Sequence, residues 1–126
     1  MATIQEIKSK FNIYKRTTQE NPGIREEFED MAMLDMDFLC LIILSDTDTK
    51  LWLSFKGGIV DYGEGAVDNP TLTFTTSLDI FKGIIYGEIE ISSAHETGDV
   101  TFGGAGEALM DFQAITSVIN EFLENI

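Results

Sequence analysis

Residues 70–115 read PTLTFTTSLDIFKGIIYGEIEISSAHETGDVTFGGAGEALMDFQAI, and their order decides the fold. Leu72, Phe74 and Thr76 alternate with Thr71, Thr73 and Thr75, the pattern of a half-buried strand. Ser77 then suits a helix N-cap, Asp79 suits the first turn, and Ile80, Phe81, Ile84 and Ile85 make an apolar helical face. A glycine-punctuated connection follows, then a short strand near 99–103, a glycine turn, and a long amphipathic helix over about 106–124. Apolar side chains take the inward positions of each element, and almost no catalytic residue type stands among them. Such a segment suits enclosure of an apolar ligand better than a reaction.

Upstream, Ile4, Ile7, Phe11 and Tyr14 recur at three- and four-residue steps and predict a first helix over about 3–18. Asn21-Pro22-Gly23 breaks it, and Pro22 can open a second helix. Its inner face is expected to hold Ile24, Phe28, Met31 and Leu34, with Glu26, Glu27, Glu29 and Asp30 outside. The period then changes. Phe38–Leu44 is a continuous apolar run of strand length, as expected of a central strand covered on both faces. Asp46–Thr49 reads as a turn, Leu51–Phe55 as a strand with Leu51, Leu53 and Phe55 on one face, Gly57-Gly58 as a turn, and 59–63 as a third strand. This mixed order is α+β, a mostly antiparallel sheet with its helices gathered on one face.

At 126 residues, 44% hydrophobic, the chain has the length of one domain (1–126) and enough apolar material for a core. No Pro- or Ser-rich linker or repeat divides it. Cys40 is the single cysteine, so no internal disulfide can form, and a reducing, cytoplasmic location is expected. The N-terminus has no apolar core of secretory-signal length, and no run is long enough to span a membrane. Net charge is −14 and unevenly spread. Residues 1–20 hold Lys8, Lys10, Lys15 and Arg16 against Glu6 and Glu20, +2, and the remainder holds 4 basic and 20 acidic residues, −16. An acidic body repels phosphate backbones and excludes nucleic acid as a partner. Only the first helix, basic and amphipathic, offers a transient membrane contact.

Three stretches carry a family resemblance: SLDIFKGIIYG (77–87) after a Thr-rich strand, TGDVTFGG (97–104), and GEALMDFQAI (106–115) opening the last helix. Gly98, Val100, Phe102 and Gly104 fill a G-x-apolar-x-apolar-x-G pattern. From Thr71 to Ala114 the chain resembles the sterol carrier protein family of the second type, the non-specific lipid-transfer domains. The order of elements over 3–69 agrees with it. The resemblance implies a five-stranded sheet covered by helices, a hydrophobic tunnel between them, and no catalysis. It implies a ligand among sterols, fatty acids, acyl-CoA esters, phospholipids or isoprenoids, with no cofactor. In relatives the domain is fused to thiolases and dehydrogenases, or handles quinone precursors. The last residues, Glu124-Asn125-Ile126, differ from the peroxisomal Ser-Lys-Leu address of some relatives.

A tunnel needs apolar walls rather than catalytic groups. The candidate wall residues are Trp52, Leu72, Phe74, Ile80, Phe81, Ile84, Phe102, Leu109, Met110, Phe112 and Ile115, with Met110 as a flexible filler. The competing reading is that these side chains fill one another and leave a dry core. Sharper signals are weaker. His95-Glu96 has no nucleophile at a fixed spacing and reads as a solvent-exposed loop. Asp46-x-Asp48 and Asp35-x-Asp37 lack further ligands at calcium-loop spacing. Gly103-Gly104-Ala105-Gly106 lacks the Lys-Ser/Thr ending of a phosphate loop and reads as a tight turn. Three function classes remain: a lipid carrier, an accessory module presenting a lipophilic intermediate to a separate enzyme, and a small enzyme built on His95. Phe122-Leu123 would support a homodimer if exposed.

Overall fold

The computed structural model describes residues 3–104 and 106–125. Helix α1 (Ile4–Glu20) starts in a capping box: Thr3 Oγ1 accepts Glu6 N–H at 3.2 Å, and Glu6 Oε1 accepts Thr3 N–H at 2.9 Å. Asn21 ends α1 and caps α2 (Pro22–Asp30) through Gly23 N–H at 3.0 Å. Ile24 and Phe28 are buried as expected, but Met31 is 51% exposed and Leu34 only half-buried. The reason is local. Helix α2 stops at Asp30 and Ala32 turns to φ 55°, so helical phase is lost and Met33 takes the buried place.

Strands β1 (Phe38–Leu44), β2 (Thr49–Lys56), β3 (Ile59–Glu64), β4 (Leu72–Thr76) and β5 (Val100–Gly104) form one sheet in the order β3-β2-β1-β4-β5. Only β1 and β4 run parallel; the other neighbours are antiparallel. Asp48 (φ 53°) and the pair Gly57 (φ 59°) and Gly58 (φ 83°) supply the left-handed backbone of the two hairpins. Helices α3 (Leu78–Ile85) and α4 (Ile91–Glu96) join β4 to β5, and α5 (Gly106–Glu124) closes the chain.

The helices lie on one face of the sheet, where Phe38, Cys40, Ile42 and Leu44 of β1, Leu51, Leu53 and Phe55 of β2, and Leu72 and Phe74 of β4 are buried. The expectation that β1 is covered on both faces is corrected: Leu39, Leu41 and Ile43 point the other way and are half-buried. Strand β1 is central in the plane of the sheet, but the layer of helices is single.

Eight of the nine phenylalanines, with Tyr62, form one connected network between sheet and helices. Its spine runs Tyr62–Phe11–Phe81–Phe74–Phe112–Phe38–Phe55–Phe28, with successive centroids 4.9–6.1 Å apart. Most contacts are edge-on, the arrangement ring quadrupoles favour. Each fully buried ring contributes about 1.5–3 kcal/mol of apolar transfer free energy. These rings fill the layer in which the resemblance places a tunnel.

Helix α1 shields the edge strand β3. Thr18 Oγ1 accepts Val60 N–H at 3.0 Å, Lys15 Nζ pairs with Asp61 at 3.1 Å, and Lys8 pairs with Glu64. A covered edge cannot recruit a foreign strand.

Candidate ligand-binding cleft

The cleft begins with the way α3 is held. Ser77 Oγ accepts Ile80 N–H at 3.3 Å and Asp46 Oδ1 accepts Leu78 N–H at 3.0 Å, so two side chains cap its first turn. Asp46 is thus a helix cap. At the other end Gly87 takes φ 77°, and Gly83 C=O accepts the N–H groups of Glu88 (2.8 Å) and Ile89 (3.0 Å). The chain folds back so closely that a Cβ on Gly83 would lie 2.3 Å from Ile89 Cδ1. Ile84, Ile85, Ile89 and Ile91 are thereby gathered into one apolar wall.

Helix α5 supplies the opposite wall. Gln113, Thr116, Ser117 and Asn120 recur at i, i+3, i+4 and i+7, so they share one face. Thr116 Oγ1 turns back to its own helix and donates to Phe112 C=O at 2.7 Å. Between the walls is an open cleft of about 430 Å³, with Phe112 among its lining. That volume falls within the range of small-molecule sites. The walls differ in polarity: four isoleucines dominate one, with Glu90 and Ser92 among them, and hydroxyl and amide groups dominate the other.

Beneath the cleft, fully buried Tyr14 donates its hydroxyl to Asn120 Oδ1 at 2.8 Å and lies 3.2 Å from Ile85 C=O, to which Asn120 Nδ2 also donates at 3.3 Å. A carbonyl left free in the last turn of α3 is satisfied, and α1, α3 and α5 are joined at one point. Burial pushes the Tyr14 phenol pKa well up, partly opposed by the hydrogen bond to Asn120. A second, smaller cleft of about 270 Å³ meets the first at Gly87 and Asn120, which line both, and continues past Tyr86 and Lys10 to Leu123 and Glu124.

The residues read from sequence as tunnel walls divide into four groups. Ile84 and Phe112 line the larger cleft. Leu72, Phe74, Phe81 and Ile115 are buried in the filled core. Ile80, Phe102 and Leu109 are half-buried against that core. Met110 and Trp52 stand apart. Met110 is 69% exposed on α5, and Trp52 alternates with buried Leu51 and Leu53, which puts it on the sheet face away from the helices. There its indole covers Gly63, where a Cβ would come within 2.6 Å of Nε1. Ile89, Ile91 and the polar stripe of α5 also line the cleft, although none is among the wall residues expected from sequence. The four-residue polar spacing on an otherwise apolar helix was the available signal.

Other groups have plain structural surroundings. His95 is exposed on α4 rather than in a loop, its ring 5.1 Å from that of Phe102. Cys40 is buried, and desolvation raises its thiol pKa well above the ordinary value. Gly104 has φ 104°, and a Cβ there would lie 2.3 Å from Thr71 C=O, a backbone approach only glycine permits. The Gly103–Gly106 turn includes Ala105, outside the described residues. The Phe122 ring packs over Gly23 within the chain. Among the described residues no cluster of His, Cys, Asp or Glu is placed to hold a metal ion, and no helix is long and apolar enough to cross a membrane.

No family model matches the chain, and no curated protein matches it. Solved structures do. UbiJ-SCP2, a ubiquinone synthesis protein, superposes with a TM-score of 0.66 at 12% identity, over 91% of this chain and 98% of that one. The palmitated SCP2L2 of Aedes aegypti gives 0.61 at 15% identity, over 92% and 95%. The stereoselective inverting sec-alkylsulfatase Pisa1 of Pseudomonas sp. gives 0.60 at 17% identity over 66% of this chain, which spans only 13% of the enzyme. The fold is that of sterol carrier protein 2 domains.

Proposed function

We propose that this protein is a single-domain, non-catalytic binder of a long-chain hydrophobic ligand, which it holds along α5 and carries or transfers. The observation that carries the reading is the cleft of about 430 Å³ between α5 and the isoleucines of the α3–α4 connection. The fold is shared with SCP2 domains, one of them solved with palmitate attached, which supports a lipid as cargo. Burial of an acyl chain contributes ~25 cal/mol per Å² of apolar surface covered, so walls alone suffice for binding. In the described structure the aromatic network occupies the layer beyond Phe112. Full enclosure of a ligand therefore requires the Phe112 ring and α5 to shift, converting the cleft into the expected tunnel.

The second reading is an accessory module that presents a lipophilic intermediate to a separate enzyme. It is favoured by the likeness to UbiJ-SCP2, which is described as a ubiquinone synthesis protein. The two readings share a pocket and differ in partner. Cytoplasm is the proposed compartment, supported by the single buried thiol. Membrane contact through α1 has weaker support, because Lys8, Lys15 and Arg16 are paired with Glu64, Asp61 and Glu20.

Mass spectrometry of the organic extract of gently purified protein tests the reading, against an unrelated protein prepared identically. A stoichiometric, enriched lipid is expected. An empty extract, together with no uptake of added hexadecanoate or hexadecanol, would overturn it.

A further inference from the structure

The cleft continues past Asn120 toward a different chemistry. Lys10 of α1 lines the smaller cleft, with its ammonium 4.9 Å from the centroid of Tyr86 and 5.5 Å from that of Tyr14. Five of the basic side chains are spoken for: Lys8 by Glu64, Lys15 by Asp61, Arg16 by Glu20, Arg25 by Glu29 and Lys82 by Glu6. Lys10 is half-buried, and among the described residues no carboxylate stands at ion-pair distance from it. In a chain of net charge −14, a cation so placed is conspicuous. Aromatic faces stabilise it in part, but they leave the ammonium donors without an anionic acceptor.

The two clefts meet at Gly87 and Asn120 and run along α5 from Phe112 to Glu124. Twelve helical steps make that path about 18 Å long. One end presents Ile84, Ile89 and Ile91, with Glu90 and Ser92 beside them, and the other holds a cation, an order that suits a single-chain amphiphile. We propose that Lys10 is the headgroup site for a long-chain carboxylate, whose tail lies against Ile84, Ile89 and Ile91. This rests on the cleft being the ligand site. Tyr86, 40% exposed, forms the outer side of the headgroup site. Desolvation lowers the Lys10 pKa, and Glu124, which lines the same cleft, opposes it only in part. An arriving carboxylate replaces water around an ammonium already partly stripped of it, and Glu124 limits how much negative charge the site accepts. A monoanionic headgroup suits it better than a multiply charged one.

The test compares hexadecanoate with hexadecanol, identical tails with and without charge, on the wild-type protein, Lys10→Gln and the distant control Lys56→Gln. Wild type and the control should prefer hexadecanoate by roughly tenfold, the factor carried by one modest charge-assisted contact. Lys10→Gln should lose that preference and bind hexadecanol unchanged. Equal affinity of wild type for both ligands would overturn the headgroup site but leave the cleft. So would a preference that survives Lys10→Gln, or a loss shared equally by both ligands. Failure of wild type to bind either ligand would remove the cleft reading and this one with it.

Discussion

The Tyr14 hydroxyl and Asn120 Oδ1 stand 2.8 Å apart, a hydrogen bond between the first helix and the last across 106 positions of sequence. Tyr14→Phe keeps the ring and removes the donor, leaving the Asn120 amide and Ile85 C=O to satisfy only each other. We expect a loss of about 1–2 kcal/mol, and Asn120→Leu should cost about as much, because the Tyr14 hydroxyl loses its shorter acceptor and keeps only Ile85 C=O at 3.2 Å. Both variants should also release bound ligand faster, since α5 loses an anchor. Urea unfolding and stopped-flow ligand release check the two parts separately.

Alkaline stability follows from the same tyrosine. Burial raises the folded-state pKa of Tyr14 above its ordinary 10.0, and that of Cys40 above 9.0. Above those ordinary values the unfolded chain loses protons that the folded chain retains, so stability falls as pH rises. Stability should hold below about pH 9 and decline progressively above it, first through Cys40 and then through Tyr14. Tyr14→Phe combined with Cys40→Ala should flatten the decline, as read by melting temperature against pH. Native Cys40 should also resist thiol reagents until the protein unfolds.

Ser117 is exposed on the polar wall of the cleft, so a large side chain can enter there with little strain elsewhere. Ser117→Trp should lower affinity for hexadecanoate at least roughly tenfold and change stability by less than about 1 kcal/mol. Calorimetric titration beside a melting curve measures both. Unchanged affinity would place the ligand elsewhere.

Trp52 is the only tryptophan, and the sheet separates it from the cleft. Its emission should therefore stay constant as ligand saturates the protein; a large change would return it to the ligand wall. Gly63→Ala puts a methyl group where the indole lies, so it should shift the emission to the red and destabilise the sheet by about 1–3 kcal/mol.

Reversal of the basic face of α1 tests membrane contact against edge protection. Lys8→Glu with Lys15→Glu places like charges against Glu64 and Asp61. Both pairs are partly exposed, so a cost of only about 1 kcal/mol is expected, smaller still in high salt. If α1 serves the edge strand, ligand transfer to anionic vesicles should be nearly unchanged in rate. A large drop in rate at constant ligand affinity would establish the membrane role.

Much of the architecture is legible along the chain because its causes are local. The alternation of Leu72, Phe74 and Thr76, the Ser77 cap, and the three- and four-residue steps of Ile7, Phe11 and Tyr14 each bury one face and expose the other. Local phase failed where a single backbone angle reset it, as at Ala32, which exchanged Met31 for Met33. The continuous apolar run of β1 misled for another reason. Leu39, Leu41 and Ile43 face away from the helices and are still half-buried, so composition could not distinguish one covered face from two.

The site was less legible. Hydrophobicity marks what leaves water, but it does not say whether neighbouring atoms then fill the space. Leu72, Phe74, Phe81 and Ile115 satisfy every criterion for a ligand wall and are occupied by one another. Period, caps and turn residues thus specified a helix-covered sheet with an apolar interior, because each depends on neighbours a few positions away. Where that interior is open depends on side chains far apart in sequence: Gly83 against Ile89, Tyr14 against Asn120, and Lys10 between two tyrosines. Such pairs meet only after the chain has folded, so the tertiary structure alone decided the place of the cleft and the charge at its end.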